Sequence, residues 1–218
     1  MRKIACFFIM ILVGNFSLSG QELEQKSKLG IGQFELGIRS SGSFFNNANS
    51  LGRGIGGQFR IRFLKRLNTE WYADFFTANI DNIGTRKDAH IGWSIMMYPF
   101  NTNKVKGKFT PYIIVGNCFD KSKVYENNRP ENEQLQYSAA LQFGLGTSYN
   151  LTDNLDLTLT CQYMNHIGGS LRTKVEGVTL YDKTLLIEKS GKTTIDGHLL
   201  LCLSINATLI DFWKKAKQ

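Results

Sequence analysis

The longest unbroken alternation of apolar and polar side chains in this sequence runs from Leu135 to His166. From Leu135 to Tyr149 the odd positions carry Leu135, Tyr137, Leu141, Phe143, Leu145 and Tyr149, and the even ones Gln136, Ser138, Ala140, Gln142, Gly144, Gly146 and Ser148. Period two predicts a strand. After Leu151-Thr152-Asp153-Asn154 the alternation resumes, with Leu155, Leu157, Leu159, Cys161 and Tyr163 opposite Asp156, Thr158, Thr160, Gln162 and His166. Odd positions meet odd across the turn, so the hairpin has one apolar and one polar face. The polar face is small or neutral, where a solvated outer surface would carry Lys and Glu. Small side chains suit the inside of a narrow barrel, which leaves the apolar face to lipid. A soluble barrel that hides its apolar face gives the same alternation and stays open as the other reading.

The rest of the chain repeats the pattern. Phe34, Leu36 and Ile38 alternate with Gln33, Glu35, Gly37 and Arg39 as a first strand; Ile55 to Leu64 predicts a second. Trp71, Ala73 and Phe75 oppose Glu70, Tyr72 and Asp74 in a third, a pairing that sets Arg60 or Arg62 near Asp74. Ala89 to Tyr98, Phe109 to Phe119 and Thr193 to Leu209 predict the fourth, fifth and eighth strands, the hairpin supplying the sixth and seventh. Short turns are expected at Lys65 to Thr69, Phe100 to Gly107 and Leu151 to Asn154. Loops are expected at Ser40 to Arg53, Asp81 to Lys87, Asp120 to Gln134 and Ile167 to Lys192, from their content of Ser, Asn, Gly and charge. Within the last, Val175 to Tyr181 and Thr184 to Glu188 predict an extramembrane hairpin around Asp182 and Lys183. The sum is an all-β, eight-stranded antiparallel up-and-down transmembrane barrel, with short connections on one side and long ones on the other.

The start of the chain changes the picture of location. Met1-Arg2-Lys3 precedes an apolar run from Ile4 to Gly14, and Ser17 and Ser19 stand where small residues precede a cleavage site. This predicts a signal peptide over 1–19, a barrel over 20–213 and a basic periplasmic tail over 214–218. Phe212 and Trp213 would mark the inner interface. A mean hydropathy of −0.20 is compatible with membrane strands, which average an apolar face with a polar one. The 26 basic residues outnumber the 18 acidic ones, but they scatter through predicted loops without an aromatic-basic cluster, which argues against nucleic acid. Anionic lipid headgroups or lipopolysaccharide phosphates fit better, with Arg53, Arg86, Lys87, Lys121, Lys123, Arg172 and Lys174 as expected contacts. Of four cysteines, Cys6 lies in the leader, Cys161 falls on the outward parity and Cys202 on the inward one, so no structural disulfide is expected.

On these alternating strands the mature chain resembles the small outer-membrane β-barrels of Gram-negative bacteria, the OmpX/OmpA-like transmembrane domain of the outer membrane protein beta-barrel family. The resemblance spans about Gly30 to Trp213 and rests on pattern. It implies an outer-membrane location, outer-membrane lipid and lipopolysaccharide as surroundings, the barrel assembly machinery as a partner, a monomer, and no cofactor. One departure is the end of the chain, where Phe212 and Trp213 are followed by Lys214-Lys215-Ala216-Lys217-Gln218 rather than ending on an aromatic residue.

Two groups of side chains could carry chemistry. Glu35, Arg39, Arg60, Arg62, Glu70, Asp74, Asp156 and Asp196 share inward parity; they predict either a salt-bridge network that plugs the lumen or an ion path. The plug is favoured, because eight strands enclose a space that side chains fill. His90, His166 and His198 point inward near the outer rim with Asp196 close by, an arrangement that could bind a metal or move protons. No HxH or HExxH spacing joins them, and no metal site is assigned. His166-Ile167-Gly168-Gly169-Ser170 resembles the His-x-Ser arrangement of lipid A deacylase barrels only partly, since Gly168 stands at the Ser position. No catalytic residue is assigned, and the expected role is non-enzymatic: surface loops on a rigid barrel, for envelope integrity or surface interaction. A small solute conduit and a lipid A-modifying enzyme are the alternatives.

Overall fold

The computed structural model describes residues 32–45, 51–100, 105–168, 171–177, 183–189 and 194–211. The signal peptide over 1–19, Phe212 and Trp213, and the tail over 214–218 lie outside the described residues.

Eight antiparallel strands close a barrel in which each strand pairs with its chain neighbour: β1 (Gln33–Phe45), β2 (Leu51–Leu64), β3 (Leu67–Ile80), β4 (Gly84–Met97), β5 (Phe109–Glu126), β6 (Arg129–Asn150), β7 (Leu155–Gly168) and β10 (Thr194–Asp211), which returns to β1. Between β7 and β10 the chain forms a separate two-stranded sheet, β8 (Leu171–Glu176) and β9 (Thr184–Lys189).

The alternation decides which face is outside. Ile38, Ile55, Phe75, Ile91, Phe119 and Phe143 expose more than half of their surface, while on β3 and β5 the residues between the outward ones are buried or half-buried. A girdle of this kind runs around the barrel, far beyond the few hundred Å² of contiguous apolar surface that a soluble protein tolerates. The soluble reading therefore fails, and the chain is a transmembrane barrel. On β5 the outward residues from Phe109 to Phe119 cover ten steps of about 3.3 Å, or about 25 Å of height at a tilt near 40°. Phe34, Phe59, Trp71 and Trp93 stack side by side across β1 to β4, with centroids 5.9, 6.0 and 6.1 Å apart, forming an aromatic ladder in the girdle.

Four expected loops are shorter than their composition implies. β5 and β6 stay paired from Asp120↔Ser138 to Glu126↔Arg129, so Asp120 to Gln134 is a tall hairpin closed by Asn127 and Asn128, not a loop. β1 reaches Phe45, and β3 and β4 are joined by Asp81, Asn82 and Ile83, where Asp81 and Asn82 take positive φ of 48° and 62°. Lys65 and Arg66 alone turn β2 into β3, so Thr69 is already in a strand. The hairpin within the β7–β10 connection forms, but its first strand is Leu171–Glu176, not Val175 to Tyr181, and residues 178–182 lie outside the described set. The physical reason is common to the four. Beyond the girdle the outward face meets water while inward residues such as Asp120, Ser122 and Glu126 stay buried yet polar, so polar composition on both faces reads as a loop while backbone pairing continues.

Candidate functional site in the lumen and at its outer rim

Inward-facing residues of neighbouring strands meet across a barrel only one or two side chains wide. Arg39 on β1 donates to Glu70 and to Gln58, both at 3.2 Å, and its Nε lies 3.1 Å from Asp74. Arg60 on β2 donates through Nε to Glu70 at 2.8 Å, with Nη2 2.6 Å from the same oxygen, and its Nη1 lies 3.8 Å from Asp156. Gln58 donates to Asn206 at 2.6 Å, and Asn206 donates to Asp156 at 2.8 Å. These contacts close a ring from β1 through β2, β3, β7 and β10 that crosses the lumen. Asp74 thus meets Arg39, not Arg60 or Arg62; the register sets Arg60 opposite Glu70 and Arg62 opposite Asn68. Glu35 and Arg62 are buried nearer the β2–β3 turn, around a cavity of about 10 Å³ that also touches Arg60, Tyr98 and Asp156 and has room for about one water.

Further layers fill the bore on either side. Tyr72 donates to Gln142 at 2.6 Å and Gln142 donates to Ser94 at 2.5 Å, joining β3, β6 and β4 across the lumen. Tyr112 shares a hydrogen bond of 2.6 Å with Thr160, and its ring lies where a Cβ on Gly146 would stand. That is why small residues alternate on the inner face of β6: a glycine on one strand makes room for a tyrosine from another. Met96 and Ile114 are fully buried with Tyr98 and Tyr112, and Met164 and Leu200 with Tyr72 and Phe76.

Near the far end the three histidines come together. The ring centroids of His166 and His198 are 4.8 Å apart, with His90 at 6.3 and 5.8 Å from them. Their carboxylate is Asp120, whose Oδ2 lies 2.6 Å from His166 Nδ1 and whose Oδ1 lies 3.6 Å from His90 Nε2. His166 Nε2 lies 3.1 Å from His198 Nδ1, so one proton can sit between the two rings. Asp196 pairs with His166 in the ladder, but its side chain lies outside the described residues. Polar composition predicts a loop at Asp120, whereas the residue lies within β5. Its even parity with Cys118, Ser122 and Val124 was the signal, since all four are buried inward.

The cluster is not a hydrolytic triad. Ser138 Oγ lies 3.4 Å from His166 Nδ1, the same nitrogen that faces Asp120 at 2.6 Å, whereas a triad needs the hydroxyl and the carboxylate on opposite ring nitrogens. Gly168 ends β7 and Ser170 lies outside the described residues. Among the described residues no three His, Cys, Asp or Glu side chains are arranged to hold a metal ion. Cys118 and Cys202 are buried and Cys161 is exposed, all three as free thiols. Over this end lies the β8–β9 hairpin, whose Leu171 and Leu185 pack with Ile80 and Val124 into a small apolar cluster. Asn132 fastens it, donating to the Leu185 carbonyl and to Glu126, each at 2.8 Å.

The closed eight-stranded meander, its apolar girdle and its packed polar bore together define a small transmembrane β-barrel of the outer-membrane type. No family model matches the chain, and no curated protein matches it in sequence. Solved structures do. Neisserial surface protein A superposes with a TM-score of 0.53 at 15% identity over 81% of this chain and 96% of that one. The outer membrane protein OprG from Pseudomonas aeruginosa gives 0.51 and 15% over 82% and 97%, and a major outer membrane protein from Thermus thermophilus gives 0.53 and 12% over 81% and 99%. At such identities the likeness is one of fold.

Proposed function

We propose that this chain is a non-catalytic, monomeric protein of a Gram-negative outer membrane, inserted by the barrel assembly machinery after export, whose barrel anchors a surface platform. The carrying observation is that a ring of buried, mutually bonded side chains crosses the bore while β5, β6 and the β8–β9 hairpin rise above the girdle as an ordered surface. From Asp120 to the turn at Asn127, β5 climbs about 20 Å along its axis beyond the last apolar outward residue. A closed barrel that carries a tall sheet suits surface interaction or envelope integrity better than transport. Function on such scaffolds sits in the parts that project from them.

The test has two parts. The chain should fold only with micelles or lipid, giving an unboiled band that migrates apart from the boiled one. Reconstituted in planar bilayers, the folded barrel should show no stepwise conductance. Stepwise conductance that changes on Arg60→Ala would instead favour a solute conduit, and cooperative folding in plain buffer would overturn the membrane reading altogether.

A further inference from the structure

Just above the girdle, the outward faces of β4 and β5 gather positive charge. Lys87 and Lys123 are directly opposite in the ladder, and Lys121 is the next outward residue on β5, opposite Ala89. Their Cβ atoms are therefore spaced by about 5 Å across the strands and about 7 Å along one. Like charges facing each other cost stability unless something neutralises them. Lys87 Nζ and Lys123 Nζ lie 5.7 and 5.9 Å from the centre of the one Tyr125 ring, so both ammonium groups turn up and away from the apolar belt. Among the described residues the one acid paired with the three lysines is Glu133, 2.6 Å from Lys123. Three cations thus share a single carboxylate.

Beside them, Ile91 and Phe119 stand one outward step nearer the girdle, while Phe75 and Tyr137 flank the row of Ala89 and Lys121; each of the four is 60–70% exposed. This apolar shelf crosses from β3 to β6, three strand spacings or about 14 Å, broader than one pair of acyl chains. Of the other basic residues of this end, Lys189 reaches the carbonyl of Leu135, opposite Lys123 in the ladder, and three more are drawn elsewhere. Arg86 is drawn to Asp88 and Ser122, Lys174 pairs with Glu176, and Arg172 faces Glu188 across β8 and β9.

We propose that Lys87, Lys121 and Lys123 bind the phosphates of a multi-chain phosphorylated glycolipid, of the lipid A class, whose acyl chains lie on the shelf of Phe75, Ile91, Phe119 and Tyr137. This rests on the outer-membrane reading above. Each ammonium at headgroup depth attracts an anionic lipid, and the attraction weakens as salt rises.

The experiment is native mass spectrometry of the full barrel refolded in micelles with diphosphorylated lipid A and phosphatidylglycerol in equal amounts. The natural chain should retain lipid A in preference. Combined Lys87→Gln, Lys121→Gln and Lys123→Gln should lower retained lipid A about tenfold or more. Glu133→Gln, which frees Lys123, should raise it, and Lys106→Gln with Lys108→Gln at the opposite end should leave it unchanged. Equal retention by the triple variant, or equal displacement by phosphatidylglycerol or inorganic phosphate, overturns the site. A folded barrel that ignores lipid A overturns this proposal alone, whereas a chain that stays unfolded in micelles overturns the membrane reading beneath it.

Discussion

Glu70 is the hinge of the lumen ring, and removing it measures how much the ring contributes. Its two oxygens accept from Arg39 at 3.2 Å and from Arg60 at 2.8 Å, and all three side chains are at least 96% buried. Glu70→Ala leaves Arg60 with Asp156 at 3.8 Å and Thr158 at 3.3 Å, and leaves Arg39 with Asp74 and Gln58. Breaking a buried pair by deleting one member costs about 3–5 kcal/mol, because the remaining charge is desolvated without its partner. Glu70→Gln keeps the shape and one acceptor and should cost about 1.5–3 kcal/mol, the worth of a charged hydrogen bond. Arg60→Met combined with Glu70→Met removes the orphaned cation as well. Asp156 still accepts from Asn206 and Thr158 at 2.8 and 2.9 Å, so the pair should be less damaging than Glu70→Ala alone. The assay is equilibrium urea unfolding in micelles, followed by tryptophan fluorescence, to which Trp71 and Trp93 in the aromatic ladder contribute. A loss under about 0.5 kcal/mol for Glu70→Ala, or strict additivity in the double variant, would mean that water screens these charges and the bore is not closed.

Three further outcomes follow from the packing. Gly146→Val should cost about 1–3 kcal/mol in the same urea assay, because the new side chain meets the Tyr112 ring; Tyr112→Ala in the same chain should relieve part of that loss. Leu185→Ala, at a position 2% exposed, should release the β8–β9 hairpin by about 2–5 kcal/mol of local stability, read as proteolytic nicking there with the heat-shifted band retained. Asp120→Asn takes the charge from the carboxylate that holds His166 and should shift the His90 and His166 ring resonances in micelle NMR, while Ser138→Ala should leave His90 unmoved.

Much of the barrel was legible along the chain. Period-two alternation placed all eight strands and their inward parity wherever lipid lies outside, because an apolar solvent on one face and a polar bore on the other force opposite chemistry on successive residues. The Leu135–His166 hairpin is the clearest case, with its partners paired odd to odd from Ala139↔Ile167 to Tyr149↔Leu157. The same logic broke down at Asp120 to Gln134. There the outward face carries lysines in place of apolar residues, so alternation loses its contrast although the inward face of β5 stays buried, and the upper part of a hairpin whose β6 strand is 22 residues long reads as a loop.

By itself, then, the sequence determined the all-β class, the strand count and which side chains share the bore, since these follow from local periodicity. Tertiary structure decided which partner each charge takes and which groups form the rim cluster. Asp74 meets Arg39 across β1 and β3, and Asp120 meets His166 across β5 and β7, because closure, stagger and bore width bring non-adjacent strands to the same depth. Which of the many basic residues stand together at headgroup level was likewise a matter of register. Spacing along a strand fixes the face a side chain takes, but only pairing between strands fixes its neighbours.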